Sequence, residues 1–219
     1  MKTIKVIIAD DHTMFRDGLK ASFNTSDKIQ VVGEASDGWD LINKLKSIKA
    51  DVIIVDINMP GIDGIETSKL IKNIFPDSKI LLLTMHDSKE YLMEALSVGV
   101  YGYVLKMAKI EKLFYAVEQV AKSEIYFDPE IAKSLPPLNS QNQYQEIEKY
   151  LSKEFHLTVR EMEITKLLVS GYVASEIAET LNISYNTVNN HRHNIFQKLQ
   201  INNLAELIKL VIKRGVISD

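Results

Sequence analysis

Over the first 123 residues, short apolar runs alternate with stretches of helical period. The runs cover 4–9, 29–35, 52–55, 80–83 and 101–105, and the helical stretches cover 13–23, 38–48, 64–74, 88–97 and 109–122. A regular strand–helix alternation predicts a doubly wound, five-stranded parallel sheet with helices on both faces. Val52-Ile53-Ile54-Val55 and Ile80-Leu81-Leu82-Leu83 are apolar throughout, as central strands covered on both sides must be. Gly99 follows the fourth helical stretch and predicts a glycine stop there.

Parallel strands put their carboxyl ends on one edge, which is where open α/β sheets place their sites. Here the first run ends in Asp10-Asp11 and the third in Asp56, just before a Pro-Gly turn. The fourth ends in Thr84 and the fifth in Lys106. Three converging carboxylates repel one another unless a cation sits among them. Mg2+ prefers oxygen ligands and suits such a set. Asp56 is then placed as a nucleophile able to form an aspartyl phosphate. Lys106 meets a phosphoryl oxygen with a fixed charge, and the Thr84 hydroxyl bonds another. Taken singly, each feature has a bland reading. An Asp pair after a strand is most often a helix cap or a solvated loop, and Pro-Gly and Asp-Gly are common turns. All four in order within one five-unit pattern argue for a site. His12 adjoins the acid pair, where a metal ligand or a phosphohistidine is the sharp reading, but it reads as the start of the first helix near solvent, and His86 as a loop residue at the rim.

Composition narrows the chemistry. The chain has no cysteine, so disulfides and thiolate ligands are excluded and any metal must sit on oxygen or histidine. The net charge of -3 announces no nucleic-acid partner globally. No apolar run approaches the roughly 20 residues of a membrane span, and no signal-peptide core follows Met1. These readings predict a soluble cytoplasmic protein. Residues 124–152 change character: Pro136-Pro137 and a run rich in Asn, Gln and Ser predict a linker. Within it, Asp128-Pro129-Glu130 offers a short helix start, and residues 144–151 a helical extension. The expected organisation is therefore 1–123, a linker over 124–152, and a second domain over 153–219.

The strand-end set, with Asp56 in VDINMPGIDG and Lys106 in GYVLK, resembles the receiver domain of bacterial two-component response regulators, a flavodoxin-like fold. The resemblance covers about residues 3–123 and lacks no family-defining residue. It implies that Asp56 accepts phosphate from a histidine kinase. It also implies that Asp11 binds Mg2+ directly, Asp10 mostly through water, and that the main-chain carbonyl of Asn58 completes the metal site with Asp56. Thr84 and Tyr103 match the switch pair, in which the hydroxyl moves toward the phosphoryl group and the ring turns inward. Such a domain is no enzyme beyond catalysing its own phosphorylation and dephosphorylation.

From Thr158 the pattern is helical to the end. Thr158 with Glu161 forms a capping box for a helix closed near Gly171. A short helix over 175–181, a turn at Asn182-Ile183-Ser184, a third helix over 185–199 and a fourth over 204–212 follow. This is an all-α, four-helix arrangement. On the third helix, Val188, Ile195 and Leu199 share a core face with His191 beside them. His191 reads as a packing residue more than a base contact. The opposite face carries Asn186, Asn189, Asn190, His193 and Gln197. Asn and Gln pair bidentately with adenine, and Arg192 and Lys198 suit phosphates. The stretch LTVREMEITKLLVSGYVASEIAETLNISYNTVNNHRHNIFQKL resembles the LuxR-type helix-turn-helix of NarL/FixJ-type regulators, through Glu161, Gly171, Glu176-Ile177-Ala178, Thr187-Val188, His191 and Lys198-Leu199. It implies contact with double-stranded DNA by the third helix, Thr187 included. Family members often carry a lysine where this chain has Asn189. A reading helix so poor in cations predicts weak binding by a monomer and a homodimer when phosphorylated. The apolar stripe Leu204, Leu207, Ile208, Val211 and Ile212 is a candidate dimer surface, or core.

The combined reading is a phosphorylation-controlled, DNA-binding transcriptional regulator. A rival is a Mg2+-dependent phosphohydrolase working through an aspartyl phosphate. Such enzymes usually need a second acid two residues after the nucleophile, and here that position is Asn58. A third reading is a phosphate-independent DNA-binding protein, against which the intact acid set argues.

Overall fold

A computed structural model describes residues 3–85, 89–128, 151–152, 154–170, 172–201 and 204–213. The chain forms two compact units, residues 1–131 and 132–219. No described helix is long and apolar enough to cross a membrane.

In the first unit β1 (Ile4–Ala9), α1 (Thr13–Phe23), β2 (Ile29–Ala35), α2 (Gly38–Leu45), β3 (Val52–Asp56) and α3 (Gly64–Ile74) alternate. They are followed by β4 (Ile80–Thr84), α4 (Lys89–Val98), β5 (Gly102–Leu105), α5 (Ile110–Ala121) and β6 (Tyr126–Phe127). The strands are all parallel, in the order β2-β1-β3-β4-β5-β6. Every residue of β3 and β4 is buried, as their unbroken apolar runs require. Asp37 and Asp63 start α2 and α3 by accepting the main-chain N–H of Asp40 and Glu66. Gly99 has φ +81 and ends the fourth α-unit as expected.

The sheet has six strands, not five. After α5 the chain turns through Ser123 at φ 66 and lays Tyr126-Phe127 beside Gly102-Tyr103 of β5. Main-chain bonds from Tyr126 N to Tyr101 O and from Asp128 N to Tyr103 O, both 2.9 Å, close the otherwise open edge of β5. Two residues are too few to show a period, so they read as linker in the sequence. At the other end of that segment, residues 151–152 are helical and Leu151 is buried. The helix starts expected at 128–130 and 144 fall mostly on 129–150, outside the described residues.

The second unit holds α6 (Val159–Val169), α7 (Ala174–Leu181), α8 (Tyr185–Leu199) and α9 (Leu204–Lys213). The capping box is present: Thr158 Oγ1 accepts from Glu161 N at 3.2 Å, and Glu161 Oε2 from Thr158 N at 2.8 Å. Asn182 and Gln200, at φ 51 and 55, end α7 and α8 in the left-handed region. Ile164, Ile177, Val188, Ile195 and Leu207 form the centre of the core. Leu204, Leu207, Ile208 and Val211 are themselves buried, so the stripe on α9 is core and not a free dimer surface. The Ile212 side chain lies outside the described set.

Candidate functional site

Registers align the strand ends. Ala9 lies opposite Val55, Asp56 opposite Leu83, and Thr84 opposite Leu105. The polar residue ending each strand therefore arrives at one place. Strand order reverses between β1 and β3, which opens the crevice that Asp10 and Asp56 enter.

Lys106 Nζ lies between the two acids, 2.7 Å from Asp10 Oδ2 and 2.6 Å from Asp56 Oδ2. Both carboxylates are 1% exposed. The Lys106 ammonium also stands 4.7 Å from the centre of the Phe15 ring, a cation–π contact. Asp11 is more open and sits 2.7 Å from His12 Nδ1. Asp10 Oδ1 accepts the His12 main-chain N–H at 2.8 Å. Burial pushes the Asp56 carboxyl above its ordinary range, and Lys106 offsets only part of that. The Asn58 main-chain N–H also bonds it. Burial works against the charge of Lys106, but its two carboxylate partners outweigh it and hold the ammonium above its ordinary range. Two buried carboxylates thus share one fixed ammonium, with Asp11 as a third acid beside them, and this deficit of positive charge suits a further cation.

Donor atoms of Asp10, Asp11, His12 and Asp56 all lie within 4.8 Å of one another. Two opposite ligands of Mg2+ stand about 4 Å apart, so small rotations bring the oxygens onto one ion. A set dominated by carboxylates with no thiolate fits a hard cation. Thr84 is fully buried at the end of β4, and Tyr103 fully buried in β5. Thr84 pairs with Leu105 and Leu82 with Tyr103, which puts both on the same face of the sheet, two register positions apart. The structure thus brings together Asp10, Asp11, Asp56 and Lys106 at the strand ends. Asn58 stands exposed in the loop that follows β3, and His86 is outside the described residues.

Three contributors were not legible in the sequence as parts of the site. Phe15 faces Lys106, and His12 holds Asp11. Gly64 opens α3 so close to the strand that a Cβ there would stand 2.0 Å from the Asp56 carbonyl oxygen. The Asp-Gly pair read as a turn signal, and the close approach is tertiary.

In the second unit α8 carries the predicted amide face. Asn186, Asn190, His193 and Gln197 are exposed, whereas Thr187, Asn189, His191 and Arg192 are half-buried. Arg192 Nη1 donates to Asn189 Oδ1 at 3.2 Å, and its guanidinium lies 5.9 Å from the Phe196 ring centre. Lys198 is engaged within the chain: its Nζ is 2.7 Å from Glu161 Oε2. Tyr185 and Asn194 add exposed positions that the sequence reading left out, the former directly after the Ser184 cap.

Residues 6–118 match the response regulator receiver domain, and residues 156–211 the bacterial regulatory proteins of the luxR family. The chain belongs to the LuxR-type response regulators. It is 39% identical over 216 residues to the oxygen regulatory protein NreC of Staphylococcus carnosus, covering 98% of this chain and 99% of that protein. The NreC of Staphylococcus aureus strain JH9 is 36% identical over 215 residues, with the same coverage. Among solved structures, a complex of the response regulator RcsB with DNA is similar at 30% identity and a TM-score of 0.58. It covers 97% of this chain and 98% of that one. The isolated receiver domain of RcsB from Salmonella enterica serovar Typhimurium, solved with the phosphomimetic BeF3-, is 34% identical over 61% of this response regulator and 99% of that chain, with a TM-score of 0.57.

Proposed function

We propose that this response regulator binds DNA under the control of phosphorylation at Asp56, with a histidine kinase as donor. The arrangement of Lys106 between buried Asp10 and Asp56 carries the reading. An Asp56 carboxylate oxygen attacks the phosphorus of the donor phosphohistidine. A P–O bond forms, the P–N bond breaks, and the imidazole nitrogen keeps the electron pair. Lys106, already within hydrogen-bond distance of Asp56, meets a phosphoryl oxygen, and Thr84 receives another. Mg2+, when bound, supplies charge for the transferring group. Asp11, Asp56 and the Asn58 carbonyl would hold it, with Asp10 acting through water. Asp10 Oδ1 already accepts the His12 N–H and Oδ2 stands 2.7 Å from the Lys106 ammonium, whereas Asp11 makes no contact with Lys106, which supports that division.

The aspartyl phosphate then shifts the Thr84–Tyr103 pair between two arrangements. Asn186, Thr187, Asn189, Asn190, His193 and Gln197 of α8 read bases in the major groove, and Arg192 contacts phosphate. Two subunits on adjacent half-sites supply the phosphate contacts that one charge-poor helix lacks. The test is incubation with acetyl phosphate and Mg2+, followed by mass spectrometry, sedimentation and DNA-binding titration. The reading expects one base-labile phosphate on Asp56, dimer formation and tighter binding. Phosphate on another residue, or DNA affinity indifferent to phosphorylation, overturns it.

A further inference from the structure

The first turn of α6 is a junction. The Glu161 side chain is 6% exposed, and Oε2 accepts both the Thr158 main-chain N–H at 2.8 Å and the Lys198 ammonium at 2.7 Å. Lys198 Nζ donates in addition to the main-chain carbonyl of His156, at 3.3 Å. His156 holds φ 52, a left-handed conformation, and its own N–H bonds Ser152 O. Beside Glu161, Arg160 Nη2 donates to Leu181 O, the last carbonyl of α7, at 2.9 Å. One turn of α6 therefore grips the end of α7 through Arg160 and the end of α8 through Glu161.

Lys198 stands in the last turn of α8, about 20 Å along the axis from Tyr185 at 1.5 Å per residue. The N-terminal part of a recognition helix meets the bases. A cation in the last turn also complements the helix dipole. A surface lysine that served only as a phosphate contact would keep its ammonium in water. This one is committed to a carboxylate almost closed to solvent, which loses its partner if the lysine swings out.

From this geometry we infer that Lys198 is a positioning residue. With Glu161 and the His156 carbonyl, it fixes the angle at which α8 presents Asn186, Asn190 and His193, and it does not itself ground the protein on a DNA phosphate. The inference rests on the DNA-binding reading above. It also ties the end of α8 to His156, just ahead of the cap of α6.

The experiment uses the full chain, treated with acetyl phosphate and Mg2+, and a duplex that the wild-type chain enriches from a randomised library. A scrambled duplex of equal length is the reference. Both are titrated across a salt series at a temperature where circular dichroism shows every variant folded. Lys198→Met is expected to lower affinity for the enriched duplex about tenfold, to change the scrambled duplex by less than about twofold, and to leave the salt slope unchanged. Lys198→Arg restores most of the preference. Glu161→Gln keeps an acceptor for Thr158 N–H, loses the charge, and lowers the enriched-to-scrambled ratio in the same way. A merely stabilising pair would shift the unfolding midpoint and leave that ratio alone, which overturns the inference. Equal losses on both duplexes with a salt slope reduced by about one make Lys198 a phosphate contact, and overturn it as well. If Lys198→Met does not fold, Lys198→Arg and Glu161→Gln carry the same decision. A wild-type chain that enriches no sequence overturns the DNA-binding reading itself.

Discussion

Asp56 and Glu161 are both carboxylates with almost no access to water, their side chains 1% and 6% exposed, yet they are held in opposite ways. Asp56 shares one ammonium with Asp10, and burial pushes its carboxyl up. Burial acts against the charge of Glu161 too, but there a lysine of its own and the cap of α6 outweigh it, and the carboxyl sits below its ordinary range. A buried acid with too little positive charge around it suits the cation and phosphoryl group proposed for Asp56. A buried acid with its charge fully answered holds helices in place. Burial alone does not separate a site from a scaffold; the local balance of charge does.

The sharpest way to break this contrast is at Asp56. Asp56→Asn should abolish phosphorylation by acetyl phosphate, and chelation of Mg2+ should do the same to the wild-type chain. Mass spectrometry reads both, and undiminished phosphate on the Asn variant sinks the site. Within the acid set, Asp11→Ala should weaken Mg2+ binding by more than Asp10→Ala, since only Asp11 is free of Lys106 in the arrangement described. Calorimetric titration, with Trp39 fluorescence as a second readout, measures this, and equal losses would remove the distinction.

The next effect in size tests how the first unit positions its acid. Gly64→Ala places a methyl group against the Asp56 carbonyl and should cost about 3 kcal/mol. Gly61→Ala meets no atom within 4 Å and has only its φ of +84 against it, worth about 1 kcal/mol. Urea unfolding of the two variants compares them, and equal costs would mean that α3 retreats freely from β3.

Charge removal should then act with opposite signs in the two units. Asp56→Asn relieves repulsion among buried acids and should raise the unfolding midpoint of the first unit. Glu161→Gln should lower that of the second, by about 1–3 kcal/mol for hydrogen bonds to a charged group. The folded-state pKa of Glu161 lies below its unfolded value. Its contribution is therefore complete above the unfolded Glu pKa, about 4.3, and is lost as pH falls through the lower folded value. Acid titration of the second unit, with Glu161→Gln as the reference, should show that loss vanish in the variant. A test of similar size is at the DNA. Asn190→Ala should cost about 1–3 kcal/mol on an enriched duplex and almost nothing on a scrambled one. Equal losses would take Asn190 out of base reading.

Much of the molecule follows from local pattern. Alternating periods laid down β1 to α5, and the capping box of Thr158 and Glu161 began α6 where the sequence placed it. Asp10, Asp56 and Lys106 were legible as one site because a parallel sheet sends all strand ends to one edge, whatever the side chains are. The amide face of α8 was legible because 100° per residue separates it from Val188, Ile195 and Leu199.

Other features were decided only in three dimensions. A two-residue strand has no period, so β6 exists because β5 offers an open edge for it to pair with. The stripe on α9 showed an apolar face but not its cover, and α6 supplies that cover from some 40 residues away in the chain. Gly64 is required by a backbone that passes beside it, and Phe15 matters because Lys106 arrives over its ring. Lys198 looked like one cation on an exposed helix, and its partner Glu161 lies 37 positions earlier. By itself the sequence determined the order of β1 to α5 and of α6 to α9, to within a residue or so at their starts, and which edge collects the acids, because those depend on neighbours along the chain. Which charges are answered, and by which residues, was left to the tertiary structure, because an ion pair depends on distance in space and on the water that folding removes.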